Sequence, residues 1–278
     1  MIQLNNLNFG YLKKYPMFKE LNLTLEKGHV YGLLGKNGAG KSTLLKNIVG
    51  ALHPQSGTCE IDGEETHKRK VITMEKIHYL PEQITLPPVK IKSFLMMNSP
   101  FYPNFSEDTF NEIVEEFDIP THLKLTHLSH GQQKKVAIAF AIATNTDWLF
   151  LDEPTNGLDI PSKSLFRKVI SNHINDNRGI IISTHQIADI DKLIENIVVV
   201  DQGSILLNKS LFEISEKVGF KVSAQTTDEI ENLLYQEEFG VGRKVIVSNE
   251  NIGDGEVDIE LLFNGLVAKG SNLKELLN

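Results

Sequence analysis

Residues 29–50 read HVYGLLGKNGAGKSTLLKNIVG, and three kinds of local structure follow one another within them. The run from His29 to Leu34 is almost wholly apolar, as a strand buried on both faces must be. Gly35 to Ser42 fits G-x-x-x-x-G-K-[ST], after a strand and at the mouth of a helix. The helix runs from about Ser42 to Val49 and is stopped by Gly50, with Pro54 soon after. Glycines at 35, 38 and 40 let the backbone wrap a phosphate with its N–H groups, and the helix N-terminus adds favourable electrostatics. Lys41 is spaced to reach the β- and γ-phosphates of a nucleotide, and the Ser42 hydroxyl to bind Mg²⁺. A glycine-rich turn with a stray lysine would have no reason to sit between a buried strand and a helix.

Outward from this loop, strands and helices alternate, which predicts an α/β core with a mainly parallel sheet. On the N-terminal side, LNLTLEKG (21–28) alternates leucines with polar residues, and GTCEIDG (57–63) runs into an Asp-Gly turn; together they predict an antiparallel β subdomain. The chain turns helical around Phe94 to Ile142, giving a helical subdomain at about 90–145, within which Ser106 is a good N-cap for Phe110, Ile113, Val114 and Phe117. DWLFLDEP (147–154) and GIIISTH (179–185) are further buried strands, with a helix from about Pro161 to Asn175 between them. IENIVVVDQGSIL (194–206) reads as strand, turn and strand. The main domain is expected over 1–211, and a small α/β appendage of unassigned role over 212–278.

The bulk properties narrow the function. A formal charge of −8 argues against a broad nucleic-acid-binding face. The single cysteine, Cys59, cannot form an internal disulfide, which suits a reducing compartment. The start MIQLNNLNFG lacks a basic region followed by an apolar run, so no signal peptide is expected. The longest apolar runs are too short to span a bilayer, so any membrane role is expected to pass through a partner.

Two more stretches carry chemistry. The strand WLFLDEP delivers Asp152 to the phosphate side of the sheet, where it can hold Mg²⁺ through water. Glu153 follows, placed to orient and deprotonate an attacking water. One strand on, His185 lies beyond the carboxyl edge of the sheet, where ligands of such folds gather. Each has a plainer reading, as a surface acidic pair or a structural histidine, and the phosphate loop weighs against both. The stretch THLSHGQQKKVAIAFAIA (126–143) is less easily explained, because it crowds Ser129, His130, Gly131, Gln132 and Gln133 onto the entrance of an apolar helix. One such residue suffices for a cap.

With these motifs in order, residues 1 to about 210 resemble the ATP-binding cassette (ABC) ATPases, a family with a P-loop NTPase core. GKNGAGKST resembles the Walker A loop, which implies ATP contacts by Gly35, Asn37, Gly38, Gly40, Lys41, Ser42 and Thr43. LFLDE resembles the Walker B strand and STH the switch histidine, implying catalytic roles for Glu153 and His185 and metal contacts for Ser42 and Asp152. LSHGQ is similar to the signature LSGGQ, with His130 in place of the first glycine, and NGLD to the D-loop. In that family two cassettes pair head to tail, which implies that Ser129, Gly131, Gln132 and Asp159 serve ATP held by a partner. Tyr11 aligns with the aromatic that stacks on adenine. The YLPEQ segment puts either Glu82 or Gln83 at the position that approaches Mg²⁺.

The resemblance therefore implies an ATPase subunit that pairs with a second subunit, identical or different. It would act on separate membrane-spanning permease subunits, be cytoplasmic and peripheral to the membrane, and serve export, since YLPE, FYPNFSEDTF and EPTNGLDIP resemble exporter cassettes. The alternative is a soluble ABC ATPase acting as a switch in translation or DNA repair. Such proteins usually carry two cassettes per chain or a long coiled-coil insertion, and the acidic charge is against nucleic acid. Intact Lys41, Asp152, Glu153 and His185 argue against a silent regulator.

Overall fold

The computed structural model describes all residues except 13, 225–229, 241, 249–255, 269–271 and 278. The chain opens with β1 (Ile2–Phe9), β2 (Phe18–Leu25), β3 (Val30–Leu34), α1 (Lys41–Ile48), β4 (Ser56–Ile61) and β5 (Glu64–Glu65). Then come α2 (Val71–Met74), β6 (Ile77–Leu80), α3 (Ile91–Asn98), α4 (Glu107–Glu116), α5 (His130–Ala143) and β7 (Trp148–Asp152). These lead to α6 (Ile160–Asn172), β8 (Gly179–Thr184), β9 (Asn196–Asp201), β10 (Ser204–Ser210) and α7 (Leu211–Lys217). The last described elements are β11 (Val218–Ser223), β12 (Leu233–Phe239), β13 (Gly242–Ser248), α8 (Ile259–Val267) and α9 (Leu273–Leu277). The second strand begins three residues before the alternation that announced it. The helix after β7 ends at Asn172 rather than Asn175, because His173 leaves helical geometry and Asn175 turns the chain back through the Arg178 N–H.

The central sheet runs β10-β9-β3-β8-β7-β6, parallel throughout except for the antiparallel edge strand β10. Its strands alternate between two cores. Trp148 and Phe150 join Tyr31, Leu33, Ile181 and Val198 on one face. Leu149 and Leu151 join Val30, Leu34, Ile180 and Ile182 on the other. This period of two across a sheet covered on both sides explains why the strands read as unbroken apolar runs. The first face is closed by α1 and by the antiparallel sheet β2-β1-β4-β5. The second is closed by α3 to α6.

A third sheet, β11-β13-β12, is antiparallel and lies in the C-terminal stretch. Ile246, Ile259, Leu262, Leu266 and Leu273 belong to the same continuous core as the second face of the central sheet. The C-terminal elements are thus packed into the same interior as the central sheet. Of the stretch expected as an α/β appendage, residues 225–229, 241, 249–255, 269–271 and 278 lie outside the described residues. Among the described residues, no helix is long and apolar enough to cross a membrane.

Candidate active site

The phosphate loop leaves the carboxyl end of β3 and wraps one side of a cavity of about 380 Å³, also lined by Met17, Glu82, Glu153 and His185. Gly38 has φ of +81° with nothing within 4 Å where a Cβ would point, so the loop is open at its centre. Gly40 has φ of +108° and its missing Cβ faces the Phe18 ring at 3.0 Å, a position closed to other residues on both counts. Gly40 starts α1 with no side-chain cap, which leaves the first amides of the helix for an anion. The buried Lys41 Nζ donates to the Gly35 carbonyl at 2.8 Å and stands 3.5 Å from Glu153 Oε1. Its ammonium is therefore held in the mouth of the loop.

Parallel pairing of β7 with β8 brings the second set of groups to the same sheet edge. Asp152 is buried and accepts from the Ser183 hydroxyl and, at 3.0 Å, from the Tyr79 hydroxyl. Burial, with Asp152 alongside, pushes the Tyr79 phenol well above its usual range, so it stays a donor that fixes this carboxylate. Glu153 sits at φ of +47°, left-handed backbone that a glutamate rarely adopts. Ser183 holds it there, its carbonyl and its hydroxyl both accepting from the Glu153 N–H, at 3.0 and 3.2 Å. Conformations of this kind cost roughly 1–3 kcal/mol and persist where the surroundings over-determine them. Glu153 Oε1 meets His185 Nδ1 at 2.9 Å, and the His185 N–H donates to Oε2 at 3.4 Å. A carboxylate fixed by a histidine on one side and an ammonium on the other, at the wall of a phosphate-sized cavity, can polarise a water for attack.

The remaining candidates divide between this cavity and the surface beside it. Asn37 lines the cavity, as does Thr43, whose hydroxyl lies 3.1 Å from that of Tyr11. Tyr11 presents an exposed ring above the loop, edge-on to Phe9. Glu82 lines both the phosphate cavity and a neighbouring one of about 490 Å³, and Gln83 lines only the latter, with His130, Gly131 and Gly157. Ser129 and Gln132 form a capping box, each side chain bonded to the other's main chain. Gln133 Nε2 donates to the Leu128 carbonyl. The crowded entrance of α5 is therefore partly an ordinary cap, with Ser129 and His130 exposed and none of its residues lining the phosphate cavity. Asp159 is exposed too and caps α6 by accepting from the Ser162 N–H.

Sequence reasoning passed over Lys134, Tyr79 and Ser183. Lys134 is buried at the first turns of α5, and its Nζ donates to the carbonyls of Glu153 at 2.7 Å and Asn156 at 3.0 Å. Burial draws the Lys134 pKa down, against the pull of Glu82, Glu153 and Asp152. It ties α5 to the loop that follows β7. Nothing in QQKK distinguishes it from a solvated lysine, because its partners lie in another segment of the chain. For Ser183 the one sequence signal was its place beside Thr184-His185 at the end of a buried strand.

Residues 18–156, half of the chain, match the family model described as ABC transporter. The chain is similar to the ABC transporter ATP-binding protein YtrB of Bacillus subtilis (strain 168), at 29% identity over 219 residues that cover 78% of this chain and 74% of that protein. It is equally similar, at 29% over 218 residues, to the high-affinity zinc uptake system ATP-binding protein ZnuC of the same organism, covering 73% and 92% of the two chains. Among solved structures it resembles a dimeric ATP-binding cassette in a post-hydrolysis state bound to ADP and Pi, with a TM-score of 0.66, 25% identity, and 76% and 99% of the two chains covered.

Proposed function

Because the chain belongs to the ABC transporter family as an ATP-binding, ATP-hydrolysing subunit, we propose that two such cassettes close head to tail around ATP and drive separate membrane-spanning subunits. One observation carries this reading: Ser129, His130 and Gly131 gather at an exposed helix entrance that takes no part in the chain's own phosphate cavity. A helix N-terminus with outward amides suits an anion brought by another molecule. The similar cassette described as dimeric, bound to ADP and Pi, supports the same arrangement.

In this reading the loop amides and Lys41 bind the phosphates, Tyr11 stacks on the base, and Glu153 accepts the proton of the attacking water. His185 holds the Glu153 carboxylate in line. Ser129 and Gly131 of the partner copy close the site, with Gln132 and Asp159 at its rim. Ser42, Asp152 and Glu82 offer only oxygen donors. That fits Mg²⁺, a hard ion that draws most of its ligands from phosphate and water. When bound, Mg²⁺ neutralises charge on the β- and γ-phosphates. Gln83, on the signature side, is outside this set. The transport direction is read as export from the likeness of YLPE, FYPNFSEDTF and EPTNGLDIP to exporter cassettes; a relative named for zinc uptake at 29% identity means overall similarity does not choose it. Attachment to the cytoplasmic side of a membrane follows from the permease partners.

Sedimentation of the Glu153→Gln chain tests the pairing. With ATP it should shift from monomer to dimer, and adding Ser129→Arg should hold it monomeric while ATP still binds. An ATP-loaded chain that stays monomeric, or a dimer indifferent to Ser129→Arg, contradicts the arrangement. Uptake of candidate substrates into inside-out vesicles, with the co-purifying membrane subunits, decides the direction.

A further inference from the structure

The C-terminal helix α8 reads IELLFNGLV, apolar around nearly its whole circumference, the pattern of a helix covered on all sides. One side belongs to the C-terminal elements. A Cβ on Gly265 would meet the Tyr235 ring of β12 at 3.1 Å and Leu273 of α9 at 3.0 Å, so α8 lies directly on them. The other side reaches the ATPase centre. Phe263 forms one wall of a narrow, mostly apolar cavity of about 210 Å³, whose other walls are Gly35, Lys36 and Asn37 of the phosphate loop with Thr184, His185 and Ile187. Helix α8 packs against the short 3-10 turn Ile187–Asp189, which begins two residues after His185. Ile187 and Phe263 both pack on the continuous core that joins β8 to α8.

We propose that Phe263 is a positioning residue for hydrolysis: it props the loop carrying His185 from behind, so that the C-terminal elements form part of the ATPase centre. The physical case is the shape of the His185 loop. His185 is bound to Glu153 on the side of the phosphate cavity. On its other side the loop from Thr184 to Ile187 borders the mostly apolar cavity walled by Phe263, while Lys163 Nζ of α6 donates to Gln186 Oε1 at 3.1 Å. Removing the ring from that packing enlarges a void of about 210 Å³ and lets the loop relax into it, away from Glu153. The phosphate loop borders the same cavity at Gly35 to Asn37 but is held by its own bonds, the Ala39 N–H donating to the Lys36 carbonyl at 3.0 Å and Lys41 Nζ to the Gly35 carbonyl at 2.8 Å. Hydrolysis should therefore suffer more than binding. This rests on the hydrolytic role proposed above for Glu153 and His185.

Phe263→Ala and Phe263→Leu in the full chain, beside Phe263 and His185→Ala controls, test it. Phe263→Ala should lower kcat by at least tenfold with affinity for a fluorescent ATP analogue within twofold, the split expected when binding is kept and positioning is lost. Amide hydrogen exchange should accelerate across 184–191 and stay unchanged across 41–48. Phe263→Leu should restore most of kcat. An Ala variant with unchanged kcat, beside an inactive His185→Ala, overturns the proposal alone. Parallel losses of kcat, affinity and protection across both segments, with no rescue by Leu, also overturn it, because the ring then serves only general stability. A His185→Ala chain that hydrolyses ATP normally overturns the hydrolytic assignment and this proposal with it.

Discussion

Glu153 is the most constrained side chain of the site. Its left-handed backbone, its bonds to Ser183, and its carboxylate between Lys41 and His185 are costs and constraints gathered on one side chain. Glu153→Gln keeps the shape and loses the carboxylate proposed to accept the proton. It should bind ATP normally and hydrolyse it ~10²–10⁴ times more slowly, as expected for loss of a positioned general base. Lys41→Ala should show the opposite split. Charge-assisted contacts are worth about 1.5–3 kcal/mol each, so ATP affinity should fall at least tenfold. Isothermal titration of the two variants separates them; wild-type turnover in Glu153→Gln would move the base elsewhere. The gathering of Lys41, Asp152, Glu153 and His185 at one sheet edge was legible in the sequence, because the chemistry proposed for them requires fixed residue types at fixed places beside buried strands. Tyr79, Ser183 and Lys134 were not, since each acquires its role only from a partner brought near by folding.

Among the elements, α5 carries both the candidate partner contact and much of the helical core. Its N-terminus is held by the Ser129–Gln132 capping box. Its C-terminus is held from another segment, where the buried Arg178 Nη2 donates to the carbonyls of Ile142 at 3.1 Å and Ala141 at 3.4 Å. Burial lowers the Arg178 pKa to about 10, still far above neutrality. Arg178→Met removes two charge-assisted bonds, although the Thr144 hydroxyl still serves Ala141 and the Asn145 N–H still serves Ile142, and should cost about 1–3 kcal/mol, read as a lowered Tm with little change in ATP affinity. Ser129→Ala should cost only about 0.5–2 kcal/mol, the ordinary worth of a cap.

Against α5 lies His78, its Nδ1 2.8 Å from the Tyr102 hydroxyl and its ring edge-on to Phe140. Burial, helped by the Arg178 charge, holds His78 down at about 3, below its ordinary 6.5. The folded chain therefore keeps it neutral while the unfolded chain takes up a proton below about pH 6.5, so its contribution is present above that pH and is lost as pH falls toward 3. Lowering the pH from 7 to 5.5 should thus remove about 1 kcal/mol of stability through this group. Denaturant unfolding of His78→Gln should show that much less loss over the interval; an identical loss would assign it to other groups.

For the molecule as a whole, the α/β core was legible because a sheet covered on both faces turns every strand into an apolar run, and a phosphate loop fixes the order of strand, loop and helix. The C-terminal elements were legible as α/β in kind but not in placement. Nothing in VDIELLFNGLVA says which neighbours its two faces meet, and the structure puts one of them on the loop behind His185. The proposed working unit is a pair of molecules, with the phosphate loop of one facing the 129–133 helix entrance of the other. Mixing Ser129→Arg chains with Lys41→Ala chains tests it most directly. Each parent should be inactive alone, since every site in its dimer holds one defect. In the mixed dimer both defects fall on one site, and the other joins an intact phosphate loop to an intact signature. The account predicts that the mixture regains ATPase activity which neither parent has. A mixture as inactive as its parents, or a Ser129→Arg chain fully active by itself, would contradict it.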